Sequence, residues 1–190
     1  MHASACPTTC FFLTASQKSR EADFLPDTTV LKEKVKTSAP DKTPLIIGAG
    51  NPWRGDDAIG REIARRLAEK TNDRTRIIEL SGEGTELMQA WEGAGLVIVI
   101  DAVASGSAPG TIFRFDAGTE KIPARFFSYS SHAFGLAEAI ELARTLGRLP
   151  ERLLVFGIEG SDFAHGAPVS APVREAAEQV MAEICDLIYE

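Results

Sequence analysis

Three aspartates and one histidine carry the chemical interest of this 190-residue chain. Asp56 and Asp57 stand side by side in "GAGNPWRGDDAIG", Asp101 ends the apolar run "LVIVID", and His132 lies in "SSHAFGL" just ahead of a helical pattern. Gly50 and Gly55 have the spacing of a phosphate loop, but Asp56 and Asp57 replace the Lys and Ser/Thr that should follow. Gly48, Gly50 and Gly55 are also too widely spaced for a dinucleotide fingerprint. A phosphate there would meet two carboxylates, each unit charge costing about 4 kcal/mol at 4 Å with an effective dielectric near 20. A cation reverses that sign. A loop carboxylate, a strand-end carboxylate and a neutral imidazole at a helix start make three donors with positions left open, the pattern of an open metal site. Oxygen and imidazole donors admit nickel, zinc, iron or manganese without choosing among them.

Each residue has a plainer role when taken alone. A pair of aspartates at a helix start caps the helix and meets its dipole. Asp101 can open the "DAVASG" turn, and a single histidine before a helix is ordinarily a polar surface group. The combination, not any one member, points to a site. One of the two aspartates can cap the helix while the other faces the loop as the donor. Gly50 permits close backbone approach, Asn51 fixes the turn before Pro52, and Trp53 is either a docking aromatic or a cover for the core. His165 reads as a solvated loop residue, while Glu83 and Glu159 are candidates to support the site.

The elements that must position these residues follow from periodicity. "LIIG" (45–48), "RIIEL" (76–80), "LVIVID" (96–101), "GTIFRF" (110–115) and "RLLVFGI" (152–158) read as strands, the fourth peripheral because Arg114 interrupts it. The helix after Asp57 buries Ile59, Ile63, Ala64 and Leu67, and "TELMQAW" (85–91) is a short helix. A third spans about 133–147, with Leu136, Ala139, Ile140, Ala143 and Leu146 inward and Gly147 closing it. The last starts at Ser170 with Pro172 in its first turn and buries Val173, Ala176, Ala177, Val180, Met181, Ile184, Leu187 and Ile188. Alternating strands and helices predict an α/β three-layer sandwich around a mostly parallel, twisted sheet of about five strands.

Composition bounds the class. An apolar fraction of 44% and a charged fraction of 25% suit a soluble globular domain. A net charge of −7 argues against nucleic-acid binding, and no apolar run reaches a membrane span of about 18 residues. Residues 1–43, with six Lys/Arg against five Asp/Glu and no sustained period, read as an N-terminal extension that is unstructured or reflects a start site placed too far upstream. Three cysteines, two of them (Cys6 and Cys10) in that extension, form no disulfide framework, which predicts a reducing, cytoplasmic setting. Cys6, Cys10 and His2 fall short of a four-ligand metal site.

With these residues in view, "GAGNPWRGDDAIG", "VIVIDAV" and "SSHAFGL", followed by "GIEG" (157–160) and "VSAPV" (169–173), resemble the nickel–iron hydrogenase maturation endopeptidases over residues 44–190. The resemblance implies an aspartyl-type protease that removes a carboxyl-terminal extension from a hydrogenase large-subunit precursor after nickel insertion. It implies metal contacts at Asp57, Asp101 and His132, the first being glutamate in many members, which leaves Asp56 as helix cap and support. Gly50, Asn51 and Trp53, in the same loop, are then the expected substrate contacts. It also implies that nickel is carried by the precursor rather than held by the enzyme. Two other classes remain open: a non-proteolytic metal-binding maturation chaperone, and a small α/β domain that binds a phospholigand.

Overall fold

A computed structural model describes residues 43–71, 75–123, 126 and 134–189. The expectations for residues 1–42, including Cys6 and Cys10, and for His132 lie outside these residues. The described chain contains strands β1 (Leu45–Gly48), β2 (Arg76–Glu79), β3 (Leu96–Val103), β4 (Ile112–Asp116) and β5 (Arg152–Glu159). Its helices are α1 (Ile59–Lys70), α2 (Gly84–Ala90), α3 (Leu136–Thr145) and α4 (Ala171–Tyr189). The strands form one sheet in the order β2-β1-β3-β5-β4, parallel except for β4, which runs antiparallel along β5 at the edge.

Central strand β3 shows why the sheet is a middle layer. Its alternate residues Val97, Val99 and Val103 pack with Leu87 and Trp91 around α2 and with Leu136 and Ile140 of α3. The opposite set, Ile98, Ile100 and Ala102, packs with Ile59, Ile63 and Leu67 of α1 and with Val180 and Ile184 of α4. A strand buried on both faces must be apolar throughout, which is why its sequence shows a continuous run instead of alternation. Asp101 breaks that run, and the two-residue period puts it on the α2–α3 side.

The chain leaves β1 through α1 toward β2, but leaves β3 toward β4 and β5. Strand order therefore reverses between β1 and β3, and the crevice beyond their carboxyl ends is where open α/β sheets place a ligand. β3 outruns β1 there: Gly48 pairs with Ile100, while Asp101, Ala102 and Val103 pair only with β5.

Two details depart from the sequence expectation. α3 runs from Leu136 to Thr145, and Leu146, expected inward, is 54% exposed. Leu146 is the C-cap, and the chain turns away at Gly147 (φ +65°), so this side chain falls past the last residue that the helix aligns with the core. In addition, neither Asp56 nor Asp57 caps α1. Both lie in a 3₁₀ turn, Gly55–Ala58, and α1 starts without a side-chain cap.

A methyl group at Gly48 would lie 2.3 Å from the Gly60 carbonyl oxygen and 2.6 Å from Ala64 Cβ, so α1 rests directly on β1. At Gly147 the added methyl meets nothing within 4 Å, and only the left-handed backbone opposes it. Gly48→Ala is expected to lose about 3 kcal/mol of stability, at the upper end for an overpacked core. Gly147→Ala should lose about 1 kcal/mol. Urea unfolding of the two variants checks the order.

Candidate functional site at the β1–β3 crevice

The loop after β1 is held by a carboxylate that makes no contact with solvent. Asp56 is 0% exposed. Its Oδ2 accepts from the Ser161 amide (2.8 Å), the Ser161 hydroxyl (3.2 Å), the Asp162 amide (3.1 Å) and the Ser170 hydroxyl (3.0 Å), and its Oδ1 accepts from the Ser170 amide (2.6 Å). The Asp56 amide in turn donates to the Asp162 carbonyl at 2.8 Å. Asp56 thus serves the start of α4 and the exit of β5, not the helix that follows it in sequence. Burial opposes its ionisation, but the amides of Ser170, Ser161 and Asp162 and the Ser170 hydroxyl outweigh that and hold its carboxyl below the ordinary range.

Asp57, the next residue, turns the other way. Its amide donates to the Arg54 carbonyl (3.0 Å), and its Oδ2 accepts from the Asn51 amide (3.2 Å). Gly50 has φ +122°, and a methyl there would lie 2.0 Å from the Asp57 carbonyl oxygen, so the loop closes tightly on itself. Asn51 Oδ1 accepts from the Trp53 amide at 2.9 Å, which is the turn-fixing role expected of it.

Asp101 enters the same crevice from β3. The Ala49 amide just past β1 donates to the Ile100 carbonyl (2.8 Å), which seats the root of the first loop beside Asp101. The Asp101 carboxylate is 7% exposed and accepts from only the adjacent Ala102 amide among the described residues. Desolvation, and then the negative charge of Asp57, push its pKa up to about 8. The two carboxylates therefore feel one another, and near neutral pH Asp101 retains its proton.

Glu159, the remaining buried acid, sits at the end of β5. Its oxygens accept from the Ser105 amide (3.1 Å) and hydroxyl (2.8 Å) and from the Gly106 and Ser107 amides (2.8 and 3.1 Å). It fastens the loop after β3. Glu83 caps α2 by accepting from the Thr85 and Glu86 amides, both at 3.0 Å. His165 is exposed on its loop, as expected, and Cys185 packs at the margin of the α1–α4 core. Trp53 is 69% exposed and does not cover the core.

Asp57 and Asp101 are brought together at the crevice, with Gly50, Asn51 and Trp53 around the first loop. Among the described residues no three His, Cys, Asp or Glu side chains form a metal-binding group. The expected third donor, His132, lies outside the described residues. Two residues after it, the Phe134 carbonyl accepts from the Gly84 amide (2.9 Å), so the chain enters α3 beside the start of α2. Sequence reasoning missed the grip of Ser161 and Asp162 on Asp56, which spans more than 100 residues and leaves no local signal.

The two aspartates should give opposite pH signatures. The lowered Asp56 carboxyl contributes stability at pH values above its unfolded-state pKa, and that contribution is lost as pH falls through its folded value, below 3.8. Asp56→Asn is expected to be less stable than the parent at pH 7 by about 3 kcal/mol, the scale for stranding buried donors. The gap should narrow below pH 4 in chemical denaturation. The raised Asp101 carboxyl does the reverse, costing stability as pH climbs from 3.8 toward 8. Asp101→Asn should therefore melt several degrees higher than the metal-free parent at pH 8 and with little difference at pH 4.

Residues 58–187 match the model of a family described as hydrogenase maturation protease. The chain is 31% identical over 148 residues to the hydrogenase 2 maturation protease of Escherichia coli, covering 74% of this chain and 89% of that one. It is 30% identical over 162 residues to a hydrogenase expression/formation protein of Bradyrhizobium diazoefficiens, covering 81% and 82%. An Escherichia coli endopeptidase solved in solution superposes with a TM-score of 0.65 at 26% identity, over 74% of this chain and 88% of that one. The hydrogenase maturating endopeptidase of Escherichia coli, at 23% identity, shares the fold with a TM-score of 0.62 over 77% and 91%. Family model, relatives and fold agree, and this chain belongs to the hydrogenase maturation proteases, a family of endopeptidases.

Proposed function

We propose that this chain removes the carboxyl-terminal extension of a hydrogenase large-subunit precursor once nickel has been inserted, and that it does so in the cytoplasm. Asp57, Asp101 and His132 meet the nickel that the precursor carries. The observation that carries this reading is the contrast among the buried acids. Asp56 and Glu159 have their oxygens occupied by loop donors, whereas among the described residues Asp101 has one amide and a charged neighbour. An acid kept that poorly partnered inside an apolar strand costs stability, and the cost is offset when a cation arrives. A divalent cation supplied with the substrate displaces the proton held on Asp101 and neutralises both carboxylates.

Nickel is here part of the substrate, so recognition of the metal is recognition of a loaded precursor. Gly50 and Asn51 bring backbone close to that point, and Trp53 offers a face for the chain to be cut. Cleavage of the peptide bond requires an activated water. Either a carboxylate of the pair accepts its proton, or the cation polarises the carbonyl and lowers the water pKa. In the first route Asp57 or Asp101 takes the water proton; in the second both position the cation.

Co-expression with the precursor of the same organism, with and without nickel, tests the reading through the mass of the precursor's carboxyl terminus. A defined terminal peptide should be lost only when nickel is supplied, and Asp57→Ala should leave the precursor intact. A nickel-loaded precursor that binds the protein but keeps its terminus would instead support a binding-only role in maturation.

A further inference from the structure

Beside the first loop lies a groove of about 660 Å³ that the paired aspartates do not occupy. It is lined by the Gly50–Trp53 turn, by Arg61 and Arg65 of α1, and by Ser81. Trp53 is the most exposed large apolar side chain among the described residues, yet its backbone is fixed on both sides. Its amide donates to Asn51 Oδ1 (2.9 Å), and its carbonyl accepts from the Gly166 amide (2.8 Å). An indole presented to water on a fixed backbone keeps its contact area without the entropy cost of ordering a loop.

The cations of the groove are equally fixed. Arg61 Nε donates to Glu79 Oε2 (2.8 Å), and Arg65 donates through Nε (2.8 Å) and Nη2 (2.7 Å) to the same carboxylate. The two terminal amino groups of Arg61 and Nη1 of Arg65 have no hydrogen-bond partner among the described residues. Glu79 bonds both guanidiniums and Glu62 also acts on Arg65, so the groove offers an anion the remaining guanidinium N–H groups rather than a surplus of charge. A guanidinium held in place with free N–H groups matches a carboxylate better than a lysine would.

We infer that this groove binds an extended segment of the precursor that carries a carboxylate, with Trp53 packed against the peptide and Arg61 and Arg65 bonding the carboxylate. The inference rests on the protease reading above. Gly50 and Asn51 form part of the groove, and the Asn51 amide also bonds Asp57, so a peptide seated here continues into the β1–β3 crevice. The carboxylate comes from an acidic side chain or from the free end of the precursor. Both present the same group to the arginines.

The chain has two tryptophans, and Trp91 is buried at 1% exposure, so 5-fluorotryptophan labelling gives one reporter and one internal control. Fluorine NMR would be recorded with peptides matching the precursor's last residues: free acid, carboxyl-amidated, and with acidic side chains changed to amides. The Trp53 resonance, assigned by Trp53→Phe, should shift while that of Trp91 stays. Whichever neutralisation weakens the shift identifies the carboxylate. In cleavage assays Trp53→Ala and Arg65→Glu should each raise KM for the nickel-loaded precursor about tenfold, the scale of an interface anchor, with the loss in kcat/KM carried by KM. Asp57→Asn should act on kcat instead.

A Trp53 resonance indifferent to precursor that is being cut, or an unchanged KM in both variants, overturns the groove and leaves the protease reading intact. A shift that follows protein concentration alone overturns it in favour of contact between two copies. A carboxylate-dependent shift with a precursor that is never cut supports the groove and removes the catalytic reading.

Discussion

Everything at the carboxyl edge of the sheet depends on one buried carboxylate. Asp56 gathers donors from the exit of β5 and the start of α4 into a point directly beside Asp57. Removing a carboxylate from water is unfavourable by several kcal/mol, and only charge-assisted bonds of about 1.5–3 kcal/mol each can outweigh it. Asp56 has enough of them to stay ionised. Because the bonds run to segments more than 100 residues away, the loop after β1 is a fixed part of the fold. Asp57 inherits that fixity through a single peptide bond.

The same edge contains the opposite solution to burying an acid. On β3, Asp101 meets, among the described residues, apolar neighbours, one adjacent amide and the field of Asp57, and it holds its proton well above the usual carboxylate range. A fold selected only for stability would have an apolar residue here, continuing the pattern of Val97, Val99 and Val103 on that face. Glu159 shows that the chain can satisfy a buried acid when it needs to, since four loop donors meet it a short distance along the edge. The difference between the three acids therefore lies in the use of their oxygens and not in burial, which is close to complete for all of them.

What was legible in the sequence was local. The apolar run of β3, the 3.6-residue stripe of α1 and the glycine that ends α3 each depend on neighbours within a few positions, and the structure has them where the pattern put them. Arg114 correctly marked β4 as an edge strand, because a charged side chain is tolerated where one side of the sheet is open. Leu146 failed because periodicity does not say where a helix runs out of core. The choice of Asp57 over Asp56 came with the family resemblance, but that a first-loop carboxylate would meet Asp101 came from their positions at loop and strand ends, which a βαβ pattern does encode. The assignment of Asp56 to α4 did not, since nothing near it in sequence distinguishes a cap for the next helix from a tie to the last one. The Arg61–Arg65–Glu79 cluster was hidden for the same reason: it forms across α1 and β2 only once the crossover is packed.

On the proposed reading, incompleteness is what makes the site selective. A pair of carboxylates in which one holds its proton binds a free cation weakly, because the proton must leave before the cation gains both charges. A cation that arrives with ligands of its own needs fewer donors from the protease and is placed by the chain that carries it. Affinity is then the sum of a metal contact that is weak alone and a peptide contact that is weak alone, joined by the covalent continuity of one substrate. Neither nickel by itself nor an empty precursor satisfies both. The fixed loop is the condition for this arithmetic, since two weak contacts add only if their spacing is held constant, and Asp56 is the residue that holds it.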